Sequence, residues 1–152
     1  MERPSVRSYS IRGSRITDAQ REAKTALQAV HGIEFKQEAI NLKAIFPSSD
    51  KVIMEIGFGM GEATAIIAKN HPNNGYIAVD VHPPGIGKLL ARIVENDLTN
   101  LKVIEEDVHV VLKHMTGGIT TKGPDRLEAR IHMRKVIVTE SLHEQQWQFL
   151  GL

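Results

Sequence analysis

The chain contains no cysteine, which excludes disulfide scaffolds, thiolate nucleophiles and cysteine zinc sites. Aromatic residues are scarce at 5%, with a single tryptophan. The late pair Trp147 and Phe149 reads as core or docking residues rather than a base-stacking platform. No apolar run approaches the ~18 residues that a membrane span needs. Met1 leads into Arg3, Pro4 and Arg7 without an apolar signal-peptide core, so the expectation is a soluble, cytoplasmic protein. Charge of one sign is also lacking: 19 Lys and Arg face 18 Asp and Glu, so net charge alone announces no polyanionic partner. What is present is ordinary for a folded domain, 152 residues with 41% hydrophobic and 24% charged. That is enough chain to bury one core without staples.

The distribution of charge says more than its sum. Arg3, Arg7, Arg12 and Arg15 stand against the single acid Glu2 in residues 1–16. Such an arm either neutralises phosphates, giving sequence-independent nucleic-acid affinity, or is a solvated terminus. A helical lead-in follows over 17–50. Thr17-Asp-Ala-Gln20 fits a capping box, Ala19, Ala23, Ala26, Leu27 and Val30 share one helical face, and Gly32 is a natural stop. A second helical stretch is expected from Phe35 to Ile45, ahead of the break at Pro47-Ser-Ser-Asp50.

From there, over 51–115, short strands alternate with helices. Val52-Ile-Met-Glu-Ile56, Tyr76-Ile-Ala-Val-Asp80 and Leu101-Lys-Val-Ile104 are apolar runs bounded by turn residues, as in strands buried on both faces. Helices are expected from Ala63 to Lys69, through Ile86, Leu89, Leu90, Ile93 and Val94, and from Val108 to Met115. The alternation predicts βαβ units on a parallel sheet, an α/β fold of the Rossmann-like kind. The segment 116–152 is atypical. It is turn-rich at first, with a short strand expected at Val136-Ile-Val138 and a closing helix at Leu142 to Leu150.

The chemistry gathers where the strands end. Gly57-Phe-Gly-Met-Gly61 joins the first strand to its helix, the place where a doubly wound sheet binds its ligand. A dinucleotide fingerprint requires G-x-G-x-x-G. Here Glu62 holds the third position and the last glycine comes one residue early, which disfavours a nicotinamide dehydrogenase. Glu55, one residue inside the strand end, suits a ligand that carries an ammonium group better than one with a pyrophosphate. S-adenosylmethionine is such a ligand. Asp80 ends the second strand, about where an acid binds ribose hydroxyls. Asp107 follows the third strand and either contacts the adenine end or caps the next helix. Seven histidines include no H-x-x-x-H pair, and His109 and His114 do not share a helical face, so no metal is expected.

Val52-Ile-Met-Glu-Ile-Gly-Phe-Gly-Met-Gly-Glu62, Ile77-Ala-Val-Asp-Val-His-Pro-Pro-Gly-Ile-Gly87 and Leu98-Thr-Asn-Leu-Lys-Val103 closely resemble the bacterial tRNA (guanine-N7)-methyltransferases. Arg7-Ser-Tyr9 and Arg12-Gly-Ser-Arg-Ile-Thr17 look like that family's N-terminal arm. The resemblance runs from Arg7 to Met115. It implies a class I methyltransferase sheet and S-adenosyl-L-methionine as cofactor. By the same likeness Glu55, Asp80, Asp107 and the glycines Gly57, Gly59 and Gly61 contact that cofactor. A tRNA guanosine is the implied substrate. Where this chain has Asp80, the family usually has Glu.

The family's F-P-D-P-W-P-K block and its closing T-x-x-E-type motif are not intact here. Pro124-Asp125 echoes the first block faintly, with Arg126-Leu127 in place of P-W, and makes Asp125 the candidate for the family's catalytic aspartate. The expectation is a methyltransferase sheet incomplete on its C-terminal side. The function the resemblance implies is S-adenosyl-L-methionine-dependent N7-methylation of a tRNA guanosine; the alternative is a non-catalytic, truncated or frameshifted remnant that binds cofactor or RNA without methyl transfer.

Overall fold

The computed structural model describes residues 16–115, 135–139 and 147–150. The basic arm up to Arg15, Asp125 and the turn-rich stretch after Met115 lie outside these residues. Helix α1 (Asp18–His31) begins with the expected capping box. The Thr17 hydroxyl accepts from the Gln20 backbone N–H, and the Gln20 side chain accepts from that of Thr17. Gly32 closes the helix.

The second expected helix shrinks to the single turn α2 (Leu42–Ile45), capped by the Asn41 side chain. Residues 33–41 are instead held by tertiary contacts. Ile33 N–H donates to the Val103 carbonyl, Ile40 N–H to that of Met115, and Ile40 and Phe46 are buried in the core. Packing of the apolar side chains overrides a modest helical preference.

Strand β1 (Lys51–Ile56), helix α3 (Glu62–Asn70), strand β2 (Asn74–Asp80), helix α4 (Pro83–Glu95), strand β3 (Leu101–Glu105) and helix α5 (Val108–His114) then alternate as expected. β1 pairs in parallel with β2, and β2 with β3. Both faces of these strands are covered, which is why they read as continuous apolar runs. Val52, Met54 and Ile56 meet Ile77, Val79, Ile104, α5 and the lead-in on one side. Tyr76, Ala78, Leu101 and Val103 meet α3 and α4 on the other, with Leu89, Leu90 and Ile93 fully buried. Each such side chain contributes about 1.5–3 kcal/mol on leaving water. Asn100, buried among them, donates from its amide to the carbonyls of Ala68, His71 and Asn74. It thereby ties together the end of α3 and the start of β2, adding a second donor to the carbonyls of Ala68 and His71, which already accept from the His71 and Asn74 backbone N–H groups.

Of the last two strands, one is expected from the sequence and the other is not. The foreseen strand at 136–138 is present as β4 (Lys135–Thr139), but it runs antiparallel to β1. The expected closing helix over 142–150 is not what residues 147–150 form. They make strand β5 (Trp147–Leu150), antiparallel to β4, with Thr139 opposite Trp147 and Val136 opposite Leu150. An open edge of β4 offers a row of backbone partners to a β-prone Trp-Gln-Phe-Leu run, and that ladder wins over helical periodicity. The sheet order is β3-β2-β1-β4-β5. The chain therefore steps outward from β1 to β3 and returns to the opposite side of β1, which makes β1 the topological switch point.

Candidate cofactor site at the carboxyl edge of the sheet

In open α/β sheets ligands bind beyond the carboxyl ends of the strands, at the switch point. Glu55 and the glycine loop stand there, at the end of β1. All three loop glycines have positive φ: 72° at Gly57, 62° at Gly59 and 76° at Gly61. That conformation is costly for any residue with a Cβ. Their surroundings differ. A Cβ on Gly57 or Gly59 meets nothing within 4 Å, so the backbone there faces open space. A Cβ on Gly61 falls 2.7 Å from the Leu89 side chain, so this glycine serves the close packing of α3 against α4. The loop thus offers bare backbone to a ligand at its first two glycines and a helix contact at its third.

The three strand-end acids are distinguished by their partners. Glu55 is buried at 7% exposure, and one of its oxygens accepts from the Thr64 hydroxyl of α3 at 2.5 Å. Asp80 is partly buried. Its Oδ1 accepts from the backbone N–H groups of Val81 and His82 at 2.7 and 3.3 Å, which fixes the carboxylate at the strand end. Asp107 is the N-cap of α5, with Oδ1 accepting from the His109 N–H at 2.8 Å. The capping reading of Asp107 is therefore realised in the fold. The strand alternation sets Glu55 and Asp80 on the α3/α4 side of the sheet, whereas Asp107 lies two residues past the end of β3, at the cap of α5.

Two residues of this edge escaped the sequence reading. Gly85, in the first turn of α4, lies so close to the loop that a Cβ there would stand 2.2 Å from the Gly59 carbonyl oxygen. The His-Pro-Pro-Gly run reads as a plain turn, yet Pro83 and Pro84 begin α4 and its glycine lets α4 press on the loop. Glu105, opposite Asp80 in the β2–β3 register, receives the Lys24 ammonium at 2.7 Å and also the Gln28 amide. It ties α1 to the end of β3, and only its partners 81 and 77 residues away in the chain reveal this. Among the described residues no group of three or more His, Asp and Glu is placed to hold a metal ion. No helix there is long and apolar enough to cross a membrane.

Comparison with known proteins agrees with this geometry. The family model described as "Putative methyltransferase" matches residues 49–123, the span of the alternating unit. A tRNA (guanine-N(7)-)-methyltransferase of Nitrosomonas eutropha is 42% identical over 143 residues, covering 90% of this chain and 64% of its own length. That of Nitrosospira multiformis is 41% identical, covering 89% and 62%. That of Thiobacillus denitrificans is 35% identical, covering 93% and 65%. Wherever matches of this extent begin, they reach past Met115, so the likeness is longer than the motifs alone carry it. The chain spans less than two thirds of the length of these relatives. By this identity, and by the three-stranded parallel unit with its glycine loop, the chain is similar to the tRNA (guanine-N(7)-)-methyltransferases over about nine tenths of its own length.

Proposed function

We propose that the chain binds S-adenosyl-L-methionine at Glu55, Gly57, Gly59, Asp80 and Asp107 and methylates N7 of a tRNA guanosine in the cytoplasm. The observation that carries the reading is the glycine loop at the switch point. Its two open, positive-φ glycines lie between a buried carboxylate and a backbone-anchored one. A cradle without Cβ atoms, flanked by acids, suits a ligand with an ammonium group at one end and ribose hydroxyls at the other. The cofactor supplies a methyl group on a positively charged sulfur.

The protein's own residues have little proton chemistry to perform. Guanine N7 carries an in-plane lone pair and needs no deprotonation before it takes the methyl group. Glu55, held by Thr64, is placed to receive an ammonium, and Asp80, fixed by two N–H groups, to receive hydroxyl donors. Together they orient the reactants, and good orientation supplies roughly 7–11 kcal/mol of barrier reduction. Positive charge passes onto the purine as the methyl moves, so a carboxylate beside the base stabilises the product side. Asp125 is the candidate for that role. The guanosine must leave its stack to reach the methyl.

The test is incubation of the chain with tRNA and methyl-labelled cofactor, followed by nucleoside analysis for 7-methylguanosine. Label in that nucleoside, lost in Glu55→Ala and Asp80→Ala, supports the reading. Unchanged methylation in both variants removes these residues from the site.

A second reading is favoured by one observation, the antiparallel course of β4 beside β1. It makes the far side of the switch-point crevice antiparallel, unlike the parallel β1–β2–β3 side. On this reading the chain binds cofactor or RNA without transferring the methyl group. Calorimetric binding of S-adenosyl-L-methionine by a chain that leaves tRNA unmethylated would select it.

A further inference from the structure

Helix α1 lies against α4 without burying a single one of its own residues. Gln20, Ala23, Lys24 and Leu27 on α1 follow the i, i+3, i+4, i+7 pattern, as do Pro84, Gly87, Lys88 and Ala91 on α4. These two facing stripes leave a groove of about 370 Å³ between the helices. That volume lies within the range of small-molecule sites, roughly 300–1,000 Å³. Its walls are mostly apolar, two lysines line it, and no carboxylate does. The Lys24 ammonium is engaged by Glu105. Lys88 is exposed, and its ammonium makes no hydrogen bond or ion pair among the described residues. The groove opens beside the first turn of α4, which also carries Gly85 against the cofactor loop. A ligand for such a place has a flat apolar part and one anionic group.

We infer that the α1–α4 groove is a nucleotide subsite that takes one unstacked ribonucleotide of the RNA, its base between the helices and its phosphate on Lys88. The inference rests on the reading of the chain as a tRNA methyltransferase and adds to it a contact outside the cofactor site. Charge complementarity selects the occupant. An uncharged apolar ligand leaves Lys88 without purpose, and an acidic peptide finds room for only one side chain.

The experiment is titration of the full chain with a tRNA transcript at a series of salt concentrations, for the wild type, Lys88→Ala and Ala91→Trp. Lys88→Ala is expected to flatten the log–log salt slope by about 0.7–0.9, which corresponds to roughly five- to tenfold weaker binding at 0.1 M salt. Ala91→Trp, which fills the groove, is expected to weaken binding roughly fivefold or more, the lower end of what one lost base contact costs. Calorimetric affinity for S-adenosyl-L-methionine stays unchanged in both variants and reports that the fold is intact. If Ala91→Trp loses cofactor binding as well, the salt slope of Lys88→Ala decides alone. Folded variants that bind tRNA as the wild type does, with the same slope, overturn the inference while leaving the methyltransferase reading in place. A wild-type chain without tRNA affinity overturns both.

Discussion

On one side of β1 the neighbouring strands run parallel to it and are reached through α3 and α4. On the other side the neighbour β4 runs antiparallel, and β5 pairs with it in the same sense. The parallel side is tied together by crossover helices that bury Leu89, Leu90 and Ile93 against the sheet, and by the shared amide of Asn100. The antiparallel side extends the sheet through its backbone ladder. All the candidate cofactor residues that the structure describes sit on the parallel side or at β1 itself. What the contrast teaches is that cofactor recognition and completion of the sheet are separable tasks. The candidate residues for the first lie in the alternating unit, and the second changes strand direction at β4, whose Val136 stands opposite Glu55.

Proline is the sharpest way to test that separation. Val79 is fully buried in β2, between β1 and β3, and its carbonyl accepts the Gly57 N–H at 2.9 Å. Val79→Pro removes a ladder donor at the centre of the sheet; the buried acceptor left unpaired alone costs about 1–3 kcal/mol, and cofactor binding is expected to be lost with it. Ile137 stands opposite Met54 on one side and Phe149 on the other. Ile137→Pro is expected to lower stability as well, while the remaining folded protein keeps its affinity for S-adenosyl-L-methionine. Denaturant unfolding beside calorimetry distinguishes the two. A proline in β4 that abolishes cofactor binding in folded protein would end the separation.

A smaller effect is expected from Asn100→Ala. The carbonyls of Ala68, His71 and Asn74 would lose their common donor, and each lost hydrogen bond costs about 0.5–1.5 kcal/mol. The loss should appear in the unfolding midpoint, with hydrogen exchange accelerated at the end of α3 and the start of β2. Exchange that increases in β4 but not there would contradict the role assigned to Asn100.

Asp107→Ala comes next in size, because loss of an N-cap costs about 1 kcal/mol. It bears on a point that the sequence left open. A drop in stability with full cofactor affinity would make Asp107 a cap alone, whereas a fall in affinity beyond the stability change would give it both duties.

These residues also show what is legible in the sequence and what is not. Local rules located α1 through its capping box, the three parallel strands through their apolar runs, and the loop through its glycine spacing. Each of these signals lies within a few neighbouring residues. The short α2, the direction of β4 and the strand at 147–150 depend on partners far along the chain, which periodicity does not encode. The Lys24–Glu105 tie and the approach of Gly85 to the Gly59 carbonyl are hidden for the same reason. Glu55 and Asp80 were readable because strand ends and loop spacing mark the ligand edge of any such sheet. Which of their oxygens are anchored, and by what, needed the fold.

The smallest effect concerns His31, in the last turn of α1. A helix C-terminus by itself favours the protonated imidazole, yet the pKa of His31 is lowered from its ordinary 6.5. Partial burial disfavours the charge, and the Lys102 ammonium adds repulsion. With the folded pKa below the unfolded one, the unfolded chain binds more protons between the two values, so stability there rises with pH. Above the ordinary value both states are neutral and His31 contributes no slope. As pH falls below 6.5, stability is lost until the folded protein also takes up its proton. His31→Gln should remove that part of the slope. Lys102→Met, which deletes the repulsion together with the ammonium's contact to the Val30 carbonyl, should move the folded pKa modestly toward the ordinary value, since burial is the larger cause. Unfolding midpoints measured across this range in the three proteins check the order. A Lys102→Met chain with the same slope as His31→Gln would make the lysine, rather than burial, the dominant cause at the junction of α1 and β3.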